Sequence, residues 1–227
     1  MISISRELEL RKEESNNVIS FLEQYEKREH YLDNNDKLIN EILLRTTLKA
    51  STIIMLYNSV ESTITQCIEK IHSEIINTNV SYSNLNDNIQ KLVLMYYESA
   101  IANSNDLQEI VTYKQECLQF TNDKMTFNIS LKELFKHYSL FSGNLDSKQI
   151  KTILNKYGFD FQESQTELKT IKEYRNQLGH GEKSFEEVGR ELSVQQIRAM
   201  HTNAFRYLEK VIGSVTEYIN QKKYQVI

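Results

Sequence analysis

The chain contains no proline, and its six glycines all lie beyond position 142 of 227 residues. Average usage would place roughly 11 prolines and 16 glycines in a chain of this length. These residues punctuate the turns of sandwiches and barrels and interrupt helices. A chain that omits them for its first 142 positions is suited to long helices and to little else. The sequence predicts an all-α protein with long N-terminal helices.

The length is enough to bury a substantial core as one large domain or two small ones. We expect an N-terminal helical extension over residues 1–35 and a helical domain over residues 36–227, either as separate units or as one continuous body. Cys67 and Cys117 are the two cysteines. They form no C-x-x-C pair and read as apolar fillers. The start MISISRELEL lacks the apolar stretch of a secretory signal, so a reducing cytoplasm is the expected setting. The apolar run Ile53-Ile54-Met55-Leu56-Tyr57 falls far short of the roughly 18 residues that suggest a membrane span, so no membrane association is expected.

Charge is unevenly placed. Up to residue 147 there are 14 basic against 21 acidic side chains, and beyond it 13 against 10. The mild overall acidity argues against a protein that coats nucleic acid generally. A site for a phosphate backbone belongs in the C-terminal third, although a solvated helix face accounts for so small an excess equally well.

Periodicity predicts a first helix from about Ser5 to Glu29, interrupted by Asp33-Asn34-Asn35-Asp36. A second runs from Lys37 to about Asn77, with Tyr57, Val60, Ile64, Cys67 and Ile71 on one buried stripe. After a polar loop over residues 77–84, Ile89, Leu92, Val93, Tyr96, Tyr97 and Ile101 define a third helical face. Residues 104–128 carry a weak pattern. Ser130, Asp146 and Ser193 each stand three residues before Glu or Gln, the spacing at which a cap and its N3 side chain satisfy orphan backbone N–H groups. The last helix should span Val194 to Gln221, burying Ile197, Met200, Ala204, Tyr207, Leu208, Val211, Val215 and Ile219.

The segment with chemical content is Leu168–Arg190, where a helix stops at Gly179-His180-Gly181. Gly179 suits the left-handed position that ends a helix, with His180 just beyond it. Arg175 has Ile171, Lys172, Leu178 and Gly179 as its helical neighbours at three and four residues, so no carboxylate of its own helix neutralises it. Arginine clamps phosphate oxygens bidentately, and imidazole moves protons near neutral pH. That pairing suits phosphodiester chemistry. Spacing alone is weak, because eight arginines and five histidines give on the order of 0.5 chance matches.

The context adds weight. Arg175-Asn176-Gln177-Leu178-Gly179-His180-Gly181, followed by Ser184-Phe185-Glu186-Glu187-Val188-Gly189-Arg190, resembles the HEPN superfamily and within it the MAE-like bacterial branch. Tyr57-Asn58-Ser59-Val60-Glu61, Ser142-Gly143-Asn144-Leu145-Asp146 and Tyr157-Gly158 extend the resemblance to roughly residues 40–220. It implies an antiparallel helical bundle that forms a homodimer, in which two R-x4–6-H motifs face one another as a metal-independent ribonuclease site. By that resemblance His180 would activate the ribose 2′-OH or protonate the leaving oxygen, Arg175 would stabilise the phosphorane, and Asn176 would orient the phosphate or the imidazole. The products would carry 2′,3′-cyclic phosphate and 5′-hydroxyl ends. DNA, lacking the 2′-OH, could not be cut this way.

Two further residues are candidates for support. Glu61 matches an acidic position of the family's central helix and could hold Arg175 or His180, or could be an ordinary solvated carboxylate. Tyr174 directly precedes Arg175 and could stack on a base, whereas the other tyrosines are spaced as core residues. His30, His72, His137 and His201 lack metal-ligand spacing. His72 could pair with Glu69 and His137 with Glu133 along their helices. No cofactor or metal is called for.

The resemblance implies an RNA endonuclease acting as a toxin or anti-phage defence effector, with an antitoxin or defence-system protein as a possible regulator. The lack of a strongly basic stretch suggests short single-stranded RNA or tRNA loops as targets, where few phosphates need be contacted. Two alternatives stay open: a non-catalytic module that binds nucleotides or another defence protein, and a structural coiled partner suggested by the charged first helix. Residues 1–35 and 104–128 could serve as a dimer surface, an inhibitory flap or a docking arm.

Overall fold

The computed structural model describes residues 1–28, 35–141 and 143–226. Within them the chain is all-helical, without strands: α1 (Ile2–Arg28), α2 (Asn35–Asn77), α3 (Asp87–Asn103), α4 (Leu107–Thr121), α5 (Leu131–His137), α6 (Ser147–Asn155), α7 (Thr166–Gly179), α8 (Phe185–Glu191) and α9 (Val194–Asn220). A 3₁₀ turn at Tyr82–Asn84 links α2 to α3. The pattern of periodic apolar residues without proline or early glycine accounts for this outcome. Asp33 and Asn34 of the expected interruption, and His30, lie outside the described residues.

The organising element is α2, whose 43 residues make a rod about 65 Å long. Helices α1, α7, α8 and α9 all pack on it, while α3 pairs with α4 and α5. The predicted stripe Tyr57, Val60, Ile64, Cys67 and Ile71 is buried throughout. α2 also buries Thr46, Thr52 and Ser59. Each hydroxyl donates to a carbonyl four residues back, Ile42, Leu48 and Met55 respectively, at 3.1, 2.8 and 2.8 Å. A helix that satisfies its own polar groups in this way can be enclosed without unpaired donors. From α1, Ile4, Leu8, Ile19 and Leu22 join the same core, and all eight expected residues of α9 are buried.

The helix starts follow local chemistry. Ser130, Asp146 and Ser193 accept from the backbone N–H groups of Glu133, Gln149 and Gln196. Ser193 and also Ser184 complete reciprocal capping boxes.

Four expectations need correction. In α3 Ala100 takes the buried position and Ile101 is half-buried, because the inward face follows 3.6 residues per turn. Cys117 is half-buried, since α4 has few neighbours. Burial pushes the Cys67 thiol up to about 12, leaving it an inert thiol. His72 does not pair with Glu69 on a polar face. It is 1% exposed, with Nδ1 2.7 Å from the Ile129 carbonyl and Nε2 2.7 Å from the Tyr157 hydroxyl. The carbonyl can only accept, so Nδ1 carries the proton and Nε2 accepts from the phenol. Burial lowers the His72 pKa to about 4, so the ring is neutral.

The fourth correction concerns the end of α7. Gly179 is still helical, His180 is the C-cap, and Gly181 at φ +71° is the left-handed residue. Its N–H bonds Leu178 O and the Glu182 N–H bonds Gln177 O, at 3.3 and 2.9 Å. Those two bonds form a Schellman motif. Either glycine could have supplied the positive φ. The helix runs on to the second, and Ser184 caps α8 three residues later.

Candidate active site

The site is assembled from three pieces: the middle of α2, the loop that enters α6, and the C-terminal half of α7. Leu168 and Ile171 anchor α7 in the core, which fixes the rotation of the helix and leaves Arg175 and Asn176 half-buried at its margin. His180 is exposed at the helix end.

Arg175 lies over the face of Tyr57, with its guanidinium carbon 4.6 Å from the ring centroid. Its Nη1 donates to Asn176 Oδ1 at 3.1 Å, and no carboxylate lies within ion-pair distance of it among the described residues. The expectation that its own helix does not neutralise it therefore extends to its surroundings. The aromatic face holds the guanidinium without cancelling its charge. Arg175 thus keeps donors for an anion.

Tyr57 works at both ends. Its ring supports Arg175, while its hydroxyl donates to the Gly143 carbonyl and accepts from the Leu145 N–H at 3.1 Å. Burial pushes the Tyr57 phenol up, assisted by Glu61 and opposed by the Leu145 N–H and Arg175, so it stays a protonated donor. Gly143 adopts φ +68°, a conformation that glycine takes without strain. The next residue, Asn144, accepts from Asn176 Nδ2 at 2.8 Å through its Oδ1. Asp146 caps α6 and forms an ion pair with Lys172 of α7. Burial works against its charge, but the Lys172 and Gln149 donors prevail and hold the Asp146 carboxyl below its usual range. The loop is thereby tied to α2 through Tyr57 and to α7 at two points.

Each expected residue can now be placed. Arg175 and Asn176 are together, and Asn176 spends both ends of its amide on Arg175 and Asn144. Glu61 makes no ion pair with Arg175. Its Oε1 faces the loop, where a Cβ on Gly143 would come within 3.2 Å. Tyr174 faces α8: the Lys183 ammonium lies 5.8 Å from its ring centroid, and burial, then the Glu191 charge, push its phenol up. Lys183 is itself paired with Glu191 at 2.6 Å, so Tyr174 belongs to the α7–α8 junction rather than beside Arg175. His137 lies 3.9 Å from Glu133, as expected, and its Nε2 is 3.2 Å from the Tyr113 hydroxyl. His201 is buried on Lys12 O. Among the described residues no group of three or more His, Cys, Asp or Glu side chains could hold a metal ion.

Tyr57 and Asn144 were not among the expected site residues. Tyr57 reads as core because it lies on the buried stripe, and its ring does so while its hydroxyl serves the loop. The signal was available in the two short segments around them that carry the resemblance.

The chemistry open to this arrangement is limited and definite. A guanidinium with free donors can take the non-bridging oxygens of a phosphodiester. An exposed imidazole five residues on, about 7.5 Å along the axis, can exchange a proton with a group outside the helix. The family model described as MAE-like HEPN matches residues 2–224. No curated protein and no solved structure matches the chain.

Proposed function

We propose, since the chain belongs to the MAE-like HEPN family, that it is a metal-independent RNA endonuclease serving as a toxin or anti-phage defence effector. The observation that carries this reading is Arg175 held on the Tyr57 ring with its charge uncancelled, on the same helix that ends at the exposed His180. An imidazole takes the proton of a ribose 2′-OH, and that oxygen attacks the adjacent phosphorus. The P–O5′ bond breaks, and the leaving oxygen takes a proton from a second acid. A symmetric homodimer supplies that acid as the partner's own motif. Arg175 stabilises the extra negative charge of the phosphorane, and Asn176, with Asn144 behind it, keeps the guanidinium in place.

The test is incubation of wild-type, His180→Ala and Arg175→Ala protein with total RNA and labelled tRNA in excess EDTA, followed by analysis of product ends. The expected outcome is 2′,3′-cyclic phosphate ends from wild type, and a loss of at least about 100-fold in each variant, the lower range for general acid–base catalysis. Equal cutting by all three proteins refutes the site. RNA binding without cleavage, kept in His180→Ala and lost in Arg175→Ala, would make the motif an anion-binding pocket of a non-catalytic module.

A further inference from the structure

A cleft of about 670 Å³ opens between α3, α4 and α5, among residues the nuclease reading does not use. Its walls carry Asp106, Glu109, Glu116 and Glu133 together with Tyr96, Tyr97 and Tyr113. Glu133 is paired with Lys136 at 2.8 Å, Asp106 caps α4 and Glu109 accepts from Ser104. None of Asp106, Glu109 and Glu116 has an ion pair, so three negative charges face the cleft without a counter-charge from the described residues.

The tyrosines provide a separate observation. Tyr96 and Tyr97 are 4% and 3% exposed, yet neither hydroxyl has a hydrogen-bond partner among the described residues, and neither is sealed from solvent. Burial, then Glu133 for Tyr96 and Glu116 for Tyr97, push both phenols up, so both remain neutral and both sense the carboxylates. Buried tyrosine hydroxyls usually find a partner. Tyr96 and Tyr97 both line the same acidic cleft, so a donor or acceptor that enters it can supply the missing partner.

We propose that this cleft binds a linear aliphatic polyamine, with ammonium groups at the carboxylates and phenol oxygens and methylenes along the half-buried Tyr113 ring. Inorganic cations fit less well, because no three acidic or histidine ligands approach closely enough to hold a metal ion. An extended cation can satisfy separated charges that a compact one cannot. Ammonium groups are attracted to aromatic faces, and the volume lies in the small-molecule range of roughly 300–1,000 Å³.

The test is isothermal titration of the full-length protein with spermidine at moderate ionic strength, without RNA, so that its outcome is independent of nuclease activity. One spermidine per chain is expected. Glu109→Gln/Glu116→Gln, which alters carboxylates open to solvent, should weaken binding by at least tenfold. Tyr96→Phe, which removes one unpartnered hydroxyl and keeps the ring, should weaken it measurably at unchanged thermal stability. The proposal is overturned if no heat is seen, if several spermidines bind and the variants make no difference, if magnesium at the same concentration displaces spermidine, or if a trilysine peptide binds more tightly at the same site.

Discussion

Tyr57 shows how one side chain can be core and site together. The Gly143 carbonyl and Leu145 N–H have the same phenol as their partner. Removing the hydroxyl leaves polar groups short of a partner, at about 1–3 kcal/mol. Tyr57→Phe should therefore lower the free energy of unfolding by that amount in urea denaturation while keeping the ring under Arg175. Tyr57→Leu should add the loss of the aromatic support, roughly 0.5–2 kcal/mol, and, if the chain cuts RNA as proposed, should reduce cleavage more than Tyr57→Phe does. A Tyr57→Phe protein as stable as wild type would contradict the loop-holding role. At this scale the sequence was legible where chemistry is local. The contact between Arg175 and Asn176 could be read from adjacent letters, whereas the environment of His72 could not, since Ile129 and Tyr157 lie 57 and 85 residues away in sequence.

Among the elements, α8 depends on a missing side chain. A Cβ at Gly189 would lie 2.1 Å from the Thr46 carbonyl oxygen, so α8 touches the α2 backbone directly. Gly189→Ala must push the two helices apart, costing about 3 kcal/mol, the upper end for overpacking. Gly213 in α9 meets nothing within 4 Å, and Gly213→Ala should stabilise by roughly 0.4–1 kcal/mol. Thermal denaturation of the two variants, expected to move in opposite directions, checks both claims. The helix starts at Ser130, Asp146 and Ser193 could be read from sequence because a cap bonds within three residues of itself. The stop at Gly181 rather than Gly179 could not, because both glycines allow the same conformation.

For the molecule as a whole, the buried histidines set an acid limit. His72 falls from an ordinary 6.5 to about 4 on folding because burial disfavours its charge, and His201 is lowered for the same first cause. The unfolded chain therefore binds protons that the folded chain refuses, and stability falls as pH drops from about 6.5 towards 4. His72 alone should remove about 2 kcal/mol between pH 7.5 and 5. Urea denaturation at those two pH values should show this loss in wild type and a markedly smaller one in His72→Gln. The helical class could be read from missing prolines and late glycines, but which helices would gather on α2 depends on contacts between distant segments. α2 itself has one more consequence. Because Thr46, Thr52 and Ser59 return their hydroxyl protons to the helix that bears them, the rod asks nothing polar of its neighbours at those three positions, whereas at Tyr57 and His72 it does. Segments that pack beside Thr52 and Ser59 are free to diverge in sequence as long as they stay apolar there, while those that meet Tyr57 and His72 must keep a polar group in register with them.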